Sequence, residues 1–373
     1  MKEGNSMYKS IGILIFFILL SGCGRVGSKD NSITTFGKKS SGDLEFITVK
    51  KSHFVSTNTQ NSGYYQTIIK TIHKPDIYAS DDQLEIASNY SLIENNKHKE
   101  ESKISILKSN NEVNSEILLL LDLSGSIISE GCSTPGSTCR QLINSTMQFI
   151  DNIVGDANSN FQMAIYYFNA KKEIMPLSKQ TEFPTGNATL LKNSIKQLNN
   201  PQFIQQYLQG YENSTNLYGA VKQSGEKICD WIDCQNKSSF EMGSVVVFTD
   251  GRDLADIISK KDMLKSLKDN IQYYTIGIGD ADNKTLIEIS TKAHHFEASQ
   301  DNIQSAFTDA YNNILYNSSF YQINYCPSTQ EGSVRIKIFF DDKTNHIRAY
   351  TKEDKISLNN LDLRCDLPLH PAR

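Results

Sequence analysis

The chain has 373 residues, of which 38% are hydrophobic, 21% charged and 9% aromatic, and its formal net charge is −4. A chain of this length suits about two or three domains, and its composition is that of a globular protein rather than a largely disordered one. Because acidic and basic residues are interspersed and no basic surplus exists, nucleic acid is excluded as an expected partner.

An apolar run near the N-terminus predicts export. Lys9 precedes the run IGILIFFILL, which is followed by Ser-Gly and then Cys23. The run is too short for the roughly 20 residues of a membrane-spanning helix, but it has the length of a signal-peptide core. Its end resembles the lipobox of bacterial lipoproteins, which implies a bacterial source, a lipid anchor on Cys23 and a place in the cell envelope, periplasmic or surface-facing. An ordinary signal peptide or a buried helix is the alternative interpretation.

The six other cysteines suit disulfide bonds in an oxidising compartment. Four of them form two pairs that are close in sequence, and the last two form a more distant pair. Bound zinc is the competing interpretation, but neither close pair has the tight spacing of a zinc knuckle. The predicted disulfides are Cys132–Cys139, Cys229–Cys234 and Cys326–Cys365.

The predicted elements begin with a signal peptide at 1–22 and a flexible tether, rich in Ser, Gly and Lys, at 23–42. Residues 43–113 contain segments such as LEFITV and YYQTIIKTI between polar turns, which predict antiparallel strands. The same alternation returns at 318–373, for example in SVRIKIFF. Each β-rich flank is thin for a core of its own, so we predict that both flanks pack together as one small sandwich. Two separate subdomains are the alternative.

Residues 114–317, between these flanks, alternate continuous apolar runs with stretches of helical periodicity. Strands buried on both faces and separated by helices predict a doubly wound α/β domain with a mostly parallel sheet, inserted in or flanked by the small β-sandwich-like domain. The predicted strands are 117–121, 162–168, 173–176, 244–248 and 272–278, and the predicted helices are 140–153, 188–198, 217–232, 260–268, 284–291 and 302–315.

Three polar loops lie at the boundaries of these elements. The loop with Asp122, Ser124 and Ser126 ends the first buried strand, Thr215 lies just before a helix, and Asp250 ends another buried strand. Since the carboxyl ends of parallel strands meet at one edge of a sheet, we expect these oxygens to converge. Two carboxylates and three hydroxyls form an all-oxygen set, which suits Mg²⁺, with Mn²⁺ or Ca²⁺ as alternatives, rather than zinc or copper.

The motifs DLSGS, STNLY and VVVFTDG, in this order, resemble the three parts of the metal-ion-dependent adhesion site of von Willebrand factor type A domains. The resemblance covers roughly residues 116–317. It implies a divalent cation, with one coordination position left for an acidic side chain of a partner protein. The ligands that the resemblance implies, some of them acting through water, are Asp122, Ser124, Ser126, Thr215 and Asp250.

The sequence therefore predicts a cell-envelope lipoprotein that binds a protein partner offering Asp or Glu and is not an enzyme. A metal-dependent hydrolase is less favoured, because no histidine adjoins the three loops and no GxSxG or phosphate-binding loop occurs. We expect no nucleotide, since an exported protein has no ATP to use. A structural envelope module, whose metal only holds the loops together, remains the other alternative. The Cys132–Cys139 loop beside the site is either a rim that contacts the partner or a stabilised surface loop.

Overall fold

The computed structural model describes part of the chain, and the predicted signal peptide, tether and lipidated Cys23 lie outside that part. None of the helices in the described part is long and apolar enough to cross a lipid bilayer. The described residues are 44–56, 62–73, 89–99, 104–109, 114–155, 160–205, 214–234, 241–318, 320–326, 332–342, 347–351, 353–358 and 364–365.

The strands follow one another in three groups. The N-terminal flank contains β1 (Leu44–Ser56), β2 (Ser62–His73), β3 (Tyr90–Glu94), β4 (Lys97–Lys99) and β5 (Ile104–Ser109). The middle of the chain contains β6 (Ser115–Asp122), β7 (Phe161–Phe168), β8 (Met175–Pro176), β9 (Met242–Thr249), β10 (Ile271–Ile278) and β11 (His295–Ala298). The C-terminal flank contains β12 (Phe320–Tyr325), β13 (Gly332–Asp342), β14 (Ile347–Tyr350), β15 (Asp354–Leu358) and β16 (Arg364–Cys365).

The α-helices of the described residues all lie in the middle group. They are α1 (Gly125–Ile128), α2 (Thr138–Val154), α3 (Ala188–Lys196), α4 (Pro201–Phe203), α5 (Leu217–Trp231), α6 (Lys260–Ser266), α7 (Asn283–Ile289) and α8 (Ile303–Asn317).

The middle strands form a mostly parallel sheet in the order β11-β10-β9-β6-β7-β8, in which only the short β8 runs antiparallel. Side chains of β6 point alternately to the two faces, and both faces are covered by helices. Leu119 enters the core beneath α2 and α8, whereas Leu118 enters the core beneath α5. Both side chains are fully buried, which explains the uninterrupted apolar run. The predicted α/β class with a mostly parallel sheet is confirmed.

Capping residues set helix bounds that periodicity alone misses by a few positions. The helix predicted to start at Arg140 begins at Thr138, because the Ser137 side chain accepts a hydrogen bond from the backbone N–H of Arg140. The helix predicted for 188–198 ends at Lys196 and continues as one turn of 3₁₀-helix over Gln197–Asn199.

The crevice between β6 and β9 is the point where the order of the strands reverses. The chain passes from β6 to β7 on one side and later enters β9 on the other side. Ligands of open α/β sheets bind at such a point, outside the carboxyl ends of the strands. The register pairs Leu121 with Phe248, so Asp122 and Thr249 follow side by side at that end.

The two flanks combine in two further sheets, each of which contains strands from both ends of the chain. One has the order β1-β2-β12-β5 with β16 beside β2, and the other has the order β14-β13-β3-β4 with β15 beside β13. Their inner faces share one apolar core, in which the ring centroids of Tyr90 and Phe340 lie 4.9 Å apart. A small cluster of Ile68, Met242 and Phe320 joins this unit to the parallel sheet. The predicted boundaries at 43, 114 and 318 stay predictions.

Two of the three predicted disulfides are confirmed, namely Cys132–Cys139 and Cys229–Cys234. Cys326 is also disulfide-bonded. Its predicted partner, Cys365, lies in β16, whose side chains are outside the described part, so that pairing stays a prediction.

Candidate metal centre

Asp122 is fully buried at the end of β6. The next residue is still held at the sheet edge, because the N–H of Leu123 donates to the carbonyl of Phe168 at the end of the neighbouring β7, and the chain then enters the short helix α1. One residue later the N–H of Ser124 donates to Oδ1 of Asp122 at 2.9 Å. This hydrogen bond therefore fixes the carboxylate of Asp122 from within its own loop.

Ser124 and Ser126 project from the start of the short helix α1. Their Oγ atoms lie 3.2 Å apart, and Oγ of Ser126 donates to Oδ1 of Asp250 at 2.9 Å. Ser124 is buried and Ser126 is exposed. The first and third predicted loops thus meet through their side chains, and Ser126 marks the side of the centre that faces solvent.

Thr215 reaches the same place from the loop before α5. The N–H groups of Leu254 and Ala255 both donate to its carbonyl, at 2.9 and 3.2 Å, so the segment after β9 is fastened to it. A Cβ atom built on Gly251 would lie 3.3 Å from Oγ1 of Thr215 and 3.7 Å from Oδ2 of Asp122. All five residues that the sequence predicted as ligands are therefore brought together.

Thr249 belongs to this constellation, although the sequence assigned it no role. Its Oγ1 donates to Oδ2 of Asp122 at 2.6 Å and accepts from the N–H of Gly251 at 3.1 Å. The side chain is fully buried. A threonine at the end of a β-strand is ordinary, so only the register of β6 against β9 reveals this contact.

Asn216 and Asp253 fix the Thr215 loop from behind. The amide of Asn216 donates to the carbonyls of Lys171 and Lys172, at 2.9 and 3.0 Å, and its oxygen caps α5 by accepting from Gly219. The carboxylate of Asp253 accepts from the N–H of Tyr218 at 2.9 Å. Both side chains are occupied by α5 and the adjoining loops, which makes them supports of the centre rather than members of its donor set.

Both carboxylates of the centre are disfavoured as charged groups. Burial and, after it, the charge of the nearby Asp250 raise the pKa of Asp122 to about 7, against the lowering effect of the hydrogen bonds from Thr249 and Ser124. Burial also raises the pKa of Asp250. A positive charge placed near these two acids would favour the ionised form of both carboxyls.

The donor chemistry fits a hard divalent cation. Carboxylate and hydroxyl oxygens are the ligands that Mg²⁺, Mn²⁺ and Ca²⁺ prefer, and a cation between two repelling carboxylates would relieve their repulsion. Elsewhere among the described residues, no group of three or more His, Cys, Asp and Glu side chains is arranged to hold a metal ion. Only two of the candidate metal ligands are carboxylates, and the other three are hydroxyls.

The Cys132–Cys139 loop lies between α1 and α2 and is tied to the scaffold at two points. On one side, Oγ of Ser133 donates to the carbonyl of Asn199 at 3.1 Å, and Arg140 donates to the side chain of Asn199 at 2.9 Å. On another side, Gln300 donates to the carbonyl of Gly136 at 2.7 Å. These hydrogen bonds therefore fix the position of the loop beside the candidate metal centre.

Solved structures that match the chain come from several different organisms. Proximal thread matrix protein 1 of the mussel byssus is 16% identical over 54% of this chain and 48% of its own, with a TM-score of 0.41. The chain thus spans about half of the length of that protein, which has also been solved with a zinc-occupied MIDAS motif. A von Willebrand factor type A protein from Catenulispora acidiphila is 12% identical over 81% of this chain and 75% of its own, with a TM-score of 0.43. The manganese-loaded TRAP protein of Plasmodium vivax is 14% identical over 69% and 97%, with a TM-score of 0.38.

No curated protein sequence matches the chain. The sequence model of the von Willebrand factor type A domain matches residues 116–310, which is more than half of the 373 residues. The matched range begins in β6 and ends in α8, so it includes every loop of the candidate metal centre. The chain belongs to the von Willebrand factor type A domain family.

Proposed function

We propose that the chain is a cell-envelope protein that binds a protein partner through a divalent cation held by Asp122, Ser124, Ser126, Thr215 and Asp250. The cation is Mg²⁺ in this proposal, with Mn²⁺ and Ca²⁺ as alternatives. The observation that carries the proposal is the convergence of these side chains, with Ser126 hydrogen-bonded to Asp250, at the edge of the sheet where ligands bind.

The proposed metal centre has a buried side, which would hold the cation, and an open side, which would face the partner. Asp122 and Ser124 are buried and their loop is fixed by hydrogen bonds, so they would hold the cation from below. Ser126 is exposed, and Asp250 is partly buried beside it. A cation supplies a strong positive charge that attracts a carboxylate, so an Asp or Glu side chain of the partner would approach from this open side.

Binding suits the centre better than catalysis. Thr249 and Ser124 already donate to the two oxygens of Asp122, and Ser126 donates to Asp250. Each acid is held in one orientation by these donors, which favours a fixed binding site over a group that must exchange protons with a substrate. No histidine adjoins the three loops, and in this proposal both carboxylates are committed to the cation.

The location in the envelope is the remaining part of the proposal. It rests on the apolar run before Cys23 and on the lipobox-like residues that precede that cysteine. The two disulfides agree with export to an oxidising compartment. Acylation of Cys23 would anchor the protein to the membrane, with residues 24–42 as a tether.

Capture from an envelope extract tests the proposal. Immobilised wild-type chain is compared with Asp122→Ala in Mg²⁺ and in EDTA, and Asp280→Ala serves as a matched control because Asp280 is an exposed acid just beyond β10 at the same edge. We expect one partner to bind to the wild type and to the control in Mg²⁺ only, and to be lost with Asp122→Ala. Replacing the partner's acidic residues one by one with amides should then identify the residue that binds.

Two results would contradict parts of this proposal. A partner retained equally in EDTA and by Asp122→Ala would exclude a metal-bridged contact and favour the structural alternative. Mass spectrometry of the mature N-terminus would show an unmodified Cys23, or a different first residue, if the anchor were wrongly assigned.

A further inference from the structure

Thr249 contacts Asp122 from the neighbouring strand β9. It is a fully buried hydroxyl, and its Oγ1 donates to Oδ2 of Asp122 at 2.6 Å. The same oxygen accepts from the N–H of Gly251 at 3.1 Å. Because the single proton of Thr249 is already directed at Asp122 and a lone pair is used by Gly251, the hydroxyl is held in one rotational state.

This contact completes the restraint on Asp122. The N–H of Ser124 donates to Oδ1, and Thr249 donates to Oδ2, so a hydrogen bond holds each oxygen of the carboxylate. One donor comes from the loop of Asp122 itself and the other from the neighbouring strand β9. With donors on both oxygens, the carboxylate plane cannot rotate about its last torsion without breaking at least one hydrogen bond.

The cations that suit an all-oxygen centre differ in how much geometric error they tolerate. Mg²⁺ requires nearly ideal octahedral geometry at about 2.0–2.1 Å, whereas Ca²⁺ accepts six to eight ligands at about 2.3–2.6 Å in flexible arrangements. A carboxylate with a fixed plane therefore favours the small, demanding cation, and a freely rotating carboxylate favours the large, tolerant one.

We propose that Thr249 is a positioning residue that fixes the carboxylate of Asp122 and thereby gives the centre its preference for Mg²⁺ and Mn²⁺ over Ca²⁺. The inference rests on the proposed metal centre but does not involve the partner. Groups hydrogen-bonded to metal ligands commonly change metal affinity by roughly 10- to 100-fold when they are removed. The loss of the Thr249 hydroxyl is expected to fall in that range for Mg²⁺ and to be clearly smaller for Ca²⁺.

Three variants of the full chain separate positioning from general stability. Thr249→Val removes the hydroxyl at nearly constant volume, and Thr249→Ser restores the hydroxyl without the methyl group. Thr275→Val is the matched control, because Thr275 is also fully buried, lies on the adjacent strand β10 and donates its hydroxyl proton to the carbonyl of Leu286 at 3.1 Å, away from the centre. Thermal unfolding in EDTA measures how much each substitution lowers the stability of the fold.

The measurement is calorimetric titration of Mg²⁺ and of Ca²⁺ into metal-free protein, with Mn²⁺ followed by the electron paramagnetic resonance of the free ion. We expect Thr249→Val to weaken Mg²⁺ and Mn²⁺ by roughly 10- to 100-fold and Ca²⁺ by a smaller factor, so that the Mg²⁺/Ca²⁺ ratio of affinities falls. Thr249→Ser should keep the wild-type ratio, and Thr275→Val should leave all three affinities unchanged.

The outcomes distinguish this inference from the proposed function. Wild-type protein that binds none of the three cations would overturn both. Wild-type binding with an unchanged Mg²⁺/Ca²⁺ ratio in Thr249→Val, or an equal loss in Thr249→Ser, would overturn the role of Thr249 and leave the metal centre standing. Because the ratio is taken within one variant, a general loss of stability does not move it.

Discussion

Oγ of Ser126 donates a hydrogen bond to Oδ1 of Asp250 at 2.9 Å, across 124 residues of sequence. The pair forms the open side of the candidate centre, since Ser126 is exposed and Asp250 is only partly buried. Asp122 and Thr249 form the closed side, where both side chains are fully buried. Changes on the two sides should therefore have different effects on stability and on cation binding.

Asp250→Asn should separate stability from metal binding. In EDTA we expect the variant to be more stable than the wild type by up to about 1 kcal/mol, because the amide removes a partly buried charge that repels Asp122. In Mg²⁺ at 100 times the dissociation constant, the wild type gains about 2.7 kcal/mol, and the variant should lose most of this gain. Thermal unfolding with and without Mg²⁺ measures both effects.

Asp280→Asn is the matched control for that comparison, because the residue is an exposed acid at the same edge of the sheet. It should leave both the EDTA and the Mg²⁺ unfolding temperatures unchanged. An Asp250→Asn variant that is less stable than the wild type in EDTA would show that the carboxylate stabilises the fold, contrary to this prediction.

Gly251→Ala should weaken cation binding on the order of tenfold while the fold is kept. The new Cβ would lie 3.3 Å from Oγ1 of Thr215 and 3.7 Å from Oδ2 of Asp122, so the Thr215 hydroxyl has to move by a few tenths of an ångström. Calorimetric titration of Mg²⁺ measures the change. Gly186→Ala is the control, since its Cβ would only approach the carbonyl oxygen of Phe161 at 3.8 Å, an ordinary contact.

The parts of this site that the sequence predicts are those that follow from burial along one strand. Asp122 and Asp250 could be located because each ends a continuous apolar run, and such runs mark strands covered on both faces. The two disulfides between cysteines close in sequence were predictable because each closes a short loop. These features depend on residues that are near one another in sequence.

The parts that the sequence does not predict depend on pairing between distant segments. The role of Thr249 follows from the register of β6 against β9, and one residue of slippage would turn its side chain to the other face. Helix α1 is only four residues long, too short for periodicity to reveal. The sequence predicts that the two flanks pack together, but it does not predict which strands pair within each outer sheet, because that depends on long-range pairing such as that of Phe340 with Tyr90.

Removal of the Cys132–Cys139 bond should reveal whether the loop supports the fold or contacts a partner. The bond closes a loop with a sequence separation of 7. Its loss in the double variant Cys132→Ala/Cys139→Ala should cost about 2–3 kcal/mol of unfolding free energy. We expect Mg²⁺ affinity to stay within about threefold of the wild type, since the ties of the loop to Asn199 and Gln300 remain.

Partner capture by the same double variant then decides between the two interpretations of the loop. Retention equal to that of the wild type at a temperature where both are folded would identify a stabilised surface loop. Loss of the partner with Mg²⁺ affinity intact would identify a rim that contacts it. A large loss of Mg²⁺ affinity would contradict the expectation that the loop and the centre are independent.

Glu116 should make stability depend on pH near neutrality. Burial and, after it, the charge of Glu241 together raise the pKa of its carboxyl to about 7, and among the described residues its Oε2 atom is buried without a hydrogen-bond partner. The folded pKa lies above the unfolded one, so the folded state binds the proton more tightly. The wild type is therefore least stable above pH 7, where the buried carboxyl is ionised in the folded state. Its stability rises as the pH falls from about 7 toward the pKa of the carboxyl in the unfolded state.

Glu116→Gln removes that titration and tests the sign. At pH 8 the variant should be more stable than the wild type, by less than about 1 kcal/mol because the side chain is partly exposed and solvent screens its charge. The difference should shrink as the pH is lowered to 5, where the wild-type carboxyl is protonated. Chemical unfolding in EDTA at both pH values measures it, with Glu173→Gln, an exposed acid just before β8, as the control. A difference that grows toward pH 5 would mean that ionised Glu116 stabilises the folded state, which would place an unrecognised cation beside it.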